Sequence, residues 1–158
     1  MNKYVKILVL VVTCVGIGYI ASTATQSSDD TWYPTLVKPS FNPPDQIFAP
    51  VWSTLYVMMG IAAGIIWSRI DFEREKVRQA LLFFAIQLAL NALWSVLFFG
   101  LRNPLLALIE IAILWLMIYE TFIKFTRIDK VAGYLMIPYL FWVSFAAILN
   151  ASIWWLNR

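Results

Sequence analysis

The stretch Gln79-Ala80-Leu81-Leu82-Phe83-Phe84-Ala85-Ile86-Gln87-Leu88-Ala89-Leu90-Asn91-Ala92-Leu93-Trp94-Ser95-Val96-Leu97-Phe98-Phe99-Gly100-Leu101 carries no charged residue from end to end. It exceeds the roughly 20 residues that a helix needs to cross bilayer hydrocarbon. A barrel strand would be about 10 residues long and would alternate apolar with polar side chains; this stretch does neither. Four similar runs flank it: Ile7–Ala24, Ile47–Ser68, Pro104–Ile123 and Val131–Leu156. The chain therefore reads as an all-α membrane protein. One domain, residues 1–158, holds five transmembrane helices over about 5–24, 47–68, 79–101, 104–124 and 131–156. The connections are a long loop over 25–46, Arg69–Arg78, a tight Arg102-Asn103 turn and Lys124–Lys130.

Composition agrees. Hydrophobic residues make up 61% and charged residues 13%, with mean hydropathy +0.74. A soluble domain carries about 45–50% and about 25%, so a small globule could not bury the excess. Histidine is absent and Cys14 is the single cysteine. That removes His-based triads, His-ligated haem, zinc clusters and intrachain disulfides, and no metal site or required cofactor is expected.

Charge sets the orientation. Five spans put Lys3, Lys6, Arg69, Arg74, Lys76, Arg78, Lys124, Arg127 and Lys130 on one side, with Lys38, Arg102 and Arg158 on the other. Basic loops stay in the cytoplasm during insertion, which predicts the N-terminus inside and the C-terminus outside. The net charge of +3 is thus a topology signal, and no nucleic-acid partner is read into it. A second reading of the first span is a secretory signal, from Lys3, Lys6 and the small residues Ala21-Ser22-Thr23-Ala24. Its removal would leave four helices; the basic-residue split favours five.

Polar groups at membrane depth usually face the bundle interior. Gln87, Asn91 and Trp94 fall on one helical face, as do Tyr139, Trp142, Ala146 and Asn150, and Phe48, Trp52, Tyr56 and Met59. Orientation and a rise of about 1.5 Å per residue put Trp52, Trp94, Glu110 and Asn150 roughly 7–12 Å below the outer boundary. Such convergence makes a pocket in the outer half; ordinary aromatic packing is the plainer alternative. Glu110 is expected to be bonded to a facing hydroxyl or amide. Gly60 and Gly64 form a GxxxG, read either as internal packing or as a dimer face. Pro138 predicts a kink in the fifth span. Trp32, Tyr33, Trp67, Trp154 and Trp155 lie near span ends, as interfacial belt residues do. The 25–46 loop, stiffened by Pro34, Pro39, Pro43 and Pro44, can lie across the mouth as a lid.

The run Trp32-Tyr33-Pro34-Thr35-Leu36-Val37-Lys38-Pro39-Ser40-Phe41-Asn42-Pro43-Pro44, with Phe48-Ala49-Pro50-Val51-Trp52 and Leu55-Tyr56, resembles the signature of the translocator protein family (TspO/MBR, or peripheral-type benzodiazepine receptor). Gln87–Trp94, Pro138–Trp142 and Phe145–Asn150 extend the resemblance over nearly the whole chain. It implies an intact first helix and a five-helix bundle, often a homodimer. It also implies a pocket formed by Tyr33, Trp52, Asn91, Trp94, Trp142, Ala146 and Asn150. The lid would use Trp32, Pro39, Phe41, Pro43 and Pro44. Family ligands are porphyrins, haem-related tetrapyrroles, cholesterol and benzodiazepine-type drugs. Two departures stand out. Phe41 replaces a common Trp, and the end of the fifth helix lacks the Tyr of the sterol motif. A loose match to that motif occurs at Leu116, Tyr119 and Lys124.

The expected function is an integral membrane protein that binds a tetrapyrrole for transport, sensing or control of porphyrin levels. Without histidine, a free-base porphyrin or a bilin fits better than a ligated haem. One alternative is a light- and oxygen-dependent porphyrin-degrading enzyme, in which Trp52 and Trp142 are the oxidisable catalytic groups. Another is a sterol or lipid carrier. The expected location is a prokaryotic cell membrane.

Overall fold

The computed structural model describes residues 1–29 and 31–158, with only the backbone described for 27–29. Among these residues there is no strand. Helix α1 spans Lys3–Asp29, α2 Asp45–Ser68, α3 Arg74–Ser95, α4 Pro104–Ile128, α5 Lys130–Leu135 and α6 Ile137–Leu156. A π-turn, Val96–Gly100, prolongs α3, and α5 with α6 forms one span. Five helical segments are long and apolar enough to cross a membrane: Lys3–Gln26, Asp45–Ser68, Arg74–Gly100, Pro104–Ile128 and Lys130–Leu156. Helix α1 runs about a turn beyond its expected end, so the loop is shorter than 25–46 and covers 30–44. Asp30 lies outside the described residues.

Local chemistry explains the boundaries. Asn103 caps α4 by accepting from the Leu106 N–H at 3.0 Å, and Pro104 follows at the first helical position, where its missing N–H costs nothing. The turn before it is tight enough to put Arg102 at φ 53°. Asp129 caps α5, accepting from Val131 and Ala132. The fifth span is broken outright. Pro138 has no N–H for the previous turn, and the chain passes Met136 in a tight turn closed by its N–H on the Gly133 carbonyl.

Packing is closest between α1 and α2. A Cβ on Gly60 would collide with the backbone of Val11, and one on Gly64 with that of Ile7. The GxxxG is therefore spent on internal packing. At the end of the bundle that holds the nine basic residues, Met59, Ala62, Ala63, Ile66, Val77, Ala80, Ile118, Phe125 and Ala132 form a closed core. The Phe84 and Phe125 rings stack there at 5.8 Å. Lys6 donates to the Trp67 carbonyl, and Arg69 pairs with Asp129 at 2.9 Å. Burial pushes the Asp129 carboxyl up, but the Arg69 hydrogen bond and charge and the two capping N–H groups outweigh it and hold it below the usual range.

A cavity closed by a loop

The opposite end of the bundle holds a cavity of about 480 Å³. Trp52 and Tyr56 of α2, Asn91 and Trp94 of α3, Phe98 and Phe99 of the π-turn, and Ala146 and Asn150 of α6 line it. The π-turn matters because its extra residue alters the helical phase near the wall. Phe98 meets Phe99 edge-on at 4.8 Å and stacks on Trp94 at 5.2 Å. Tyr33, buried in the loop, completes the wall by packing on both rings at 6.4 and 5.5 Å. Lys38 sits over Tyr33, its Nζ 4.3 Å from the ring centre.

Six of the seven residues expected to form the pocket line this cavity: Tyr33, Trp52, Asn91, Trp94, Ala146 and Asn150. Trp142 does not. At 3.6 residues per turn it lies about 60° around the helix from Tyr139, while Ala146 and Asn150 return to within about 20° of it. It packs behind Trp52, edge-on at 6.5 Å, and faces a shallow apolar groove between α2 and α6. Of the two tryptophans expected to be oxidisable, only Trp52 reaches the cavity. Phe41 likewise stays outside and packs on Phe145 at 6.3 Å. The lid prolines Pro39, Pro43 and Pro44 also lie off the wall.

The polar groups are mostly committed to one another. Tyr56 donates to Asn91 Oδ1 (2.5 Å), Asn91 Nδ2 donates to the Tyr139 hydroxyl (2.9 Å), and that hydroxyl donates to Gln87 Oε1 (2.8 Å). Trp94 Nε1 donates to Asn150 Oδ1 (3.0 Å), and Asn150 Nδ2 to the Pro104 carbonyl (2.8 Å). Asn91 and Asn150 line the cavity and at the same time tie the helices to one another. Glu110 is buried, 5% exposed, outside the cavity, and neither carboxyl oxygen has a partner among the described residues. The expected hydroxyl or amide is not there.

Sequence reasoning missed the contribution of α1. Val15, Gly18, Tyr19, Ser22 and Gln26 line the cavity on one helical face, and their spacing was readable. Gly18 is where the Tyr56 ring lies against α1. Among the described residues Asp45 is the one charged residue of the lining. The segment with the loose sterol pattern exposes Leu116 and Tyr119 on the bundle surface, while Lys124 reaches Gln79. Of the expected belt residues, Trp155 is exposed and Trp32 half-buried, whereas Tyr33 belongs to the cavity roof.

The profile of the TspO/MBR family matches residues 9–156. The chain belongs to this family. It is 44% identical to the tryptophan-rich protein TspO of Chlorobaculum tepidum over 99% of both chains. It is 38% identical to the tryptophan-rich sensory protein of Cereibacter sphaeroides, over 89% of this chain and 85% of that one. With the translocator protein of Sus scrofa it shares 36% identity over 87% of this chain and 81% of that one. Together with the five apolar helices, membership makes this an integral, multi-pass membrane protein.

Proposed function

We propose that this TspO/MBR protein binds a flat tetrapyrrole, a free-base porphyrin or a bilin, in the loop-covered cavity and serves in transport, sensing or control of porphyrin levels. One observation carries the reading: a cavity of about 480 Å³ walled by Trp52, Trp94, Phe98, Phe99, Tyr33 and Tyr56, with Asp45 the single charged residue of the lining among the described residues. Its size is that of a small-molecule site, and its aromatic faces suit a planar macrocycle held by stacking. The committed amides of Asn91 and Asn150 leave apolar contact as the main source of affinity. The relatives' names, sensory and translocator protein, agree with transport or sensing. In this proposal the cavity end faces outward and the N-terminus inward, following the nine-to-three split of basic residues. A homodimer would have to use a surface other than Gly60 and Gly64, which α1 already covers.

The test is a titration of the reconstituted protein with protoporphyrin, read by tryptophan quenching. Trp94→Ala should raise the Kd about tenfold or more, as expected for losing a stacked aromatic contact and its buried area. Trp142→Ala, behind the wall, should change it less than about threefold by the same reasoning. Unchanged affinity in the Trp94 variant would remove the cavity from consideration.

A further inference from the structure

Residue Asn157, one position beyond α6, makes an unusual contact. Its Oδ1 accepts the Val37 N–H at 2.9 Å, and its Nδ2 donates to the Val37 carbonyl at 2.9 Å. One side-chain amide thus pairs with both backbone groups of a loop residue 120 positions away in sequence. The amide itself is fixed, because Nδ2 also donates to the Ile153 carbonyl at 2.7 Å, and Ile153 lines the cavity. A further polar tie between loop and bundle is at the loop's start, where Arg102 Nη2 donates to Thr31 at 3.2 Å. Between residues 36 and 44, the Asn157 pair is the polar attachment to the helices among the hydrogen bonds seen; Asn42 bonds only within the loop. Apolar contacts, such as Phe41 on Phe145 and Tyr33 on Phe99, add non-directional adhesion.

We propose that Asn157 is the latch of the loop: its pairing with Val37 holds the cavity shut, and its release is the opening step that admits a ligand. The inference rests on reading the cavity as a ligand site. The geometry suits a reversible catch. The pair is neutral and lies at the exposed end of α6, so water can replace both bonds when they part, and their net strength is modest. Loop prolines keep the freed segment short of conformations to explore, which makes reclosure quick.

The latch can be tested without any ligand. On a Cys14→Ala background, Ala146→Cys puts a thiol on the cavity wall, and a water-soluble maleimide reports how often the cavity opens. Backbone hydrogen exchange over residues 36–42 reports the loop itself. Asn157→Ala should speed both labelling and exchange about tenfold, the change expected from losing one to two net hydrogen bonds. Asn157→Asp keeps the acceptor for Val37 N–H but sets a carboxylate against the Val37 carbonyl, so it should behave as the alanine variant does. Asn157→Gln, which keeps both functions on a longer arm, should fall between wild type and alanine. Unchanged exchange in the alanine variant overturns the latch. Faster exchange with unchanged labelling overturns its role in access. A protein that never binds protoporphyrin, yet shows both accelerations, would disprove the proposed ligand and leave the latch standing.

Discussion

The two ends of the bundle are built from the same five spans and share their apolar character, yet one is solid and the other hollow. At the basic end, small residues let helices meet: Gly60 and Gly64 bring α2 against α1, and Ala62, Ala63, Ala80 and Ala132 are fully buried. At the loop end the residues at equivalent depth are Trp52, Trp94, Phe98 and Phe99. Rings of that size hold helix backbones apart, and their packing, partly stacked and partly edge-on, leaves a space that none of them fills. The contrast teaches that hydrophobicity decides membrane residence, whereas side-chain size decides where a membrane bundle keeps a cavity.

The strongest way to break the contrast is to spoil the solid end. Gly64→Leu drives a side chain into the α1 backbone and should lower the thermal unfolding temperature by the largest margin of any change here, for an overpacking cost of about 3 kcal/mol. Gly16→Ala, which meets nothing within 4 Å, should leave it unmoved; equal effects would mean that α1 and α2 are not in contact. A middle effect is expected at the boundary between the halves. Asn91→Leu orphans the Tyr56 hydroxyl, leaves the Tyr139 hydroxyl with Gln87 alone, and should cost about 2 kcal/mol, read by chemical unfolding in detergent. If the Tyr139→Phe, Asn91→Leu pair proves no less stable than Asn91→Leu alone, the two groups act as one network.

The smallest effect belongs to the surface of the solid end. Because the folded pKa of Asp129 lies below its ordinary value, its contribution is present above the unfolded carboxylate pKa and fades as pH falls through the folded value. Arg69 is about half exposed, so the amount is about 0.5 kcal/mol. Asp129→Asn should remove that acid-side slope from a series of unfolding curves, and no change in slope would deny the pair any role.

How much of this could be read in the sequence depends on whether one residue or a pair carries the information. The spans were legible because uncharged length is a property of each segment by itself. The break in the fifth span follows from Pro138, although its sharpness comes from the Met136 turn. Five cavity residues, Trp52, Asn91, Trp94, Ala146 and Asn150, are legible from helical phase, and Tyr33 only from the family resemblance; Trp142 shares their approximate face, but about 60° is enough to turn an indole from cavity to groove. On helix α1 the lining residues Val15, Gly18, Tyr19, Ser22 and Gln26 do share a face, but apolar residues run right round the helix, so the spacing alone does not single that face out. The engagement of Asn91 and Asn150 was out of reach. A sequence names donors and acceptors, but only the fold says which have already met, and the same holds for Asn157 and Val37.

The π-turn at Val96–Gly100 also bears on how such a chain tolerates insertion and deletion. A helix widened by one residue is one residue away from a regular α-helix. Deleting a single residue there need not break the span or its connection to α4. The wide turn absorbs the loss by closing into a regular one with the helix faces on either side nearly in register, whereas the same deletion in the regular part of α3 would turn one side by about 100° relative to the other. The π-turn is thus the place in this span where a lost codon is accommodated, while one codon lost from the helix before it would rotate a whole side of the cavity away.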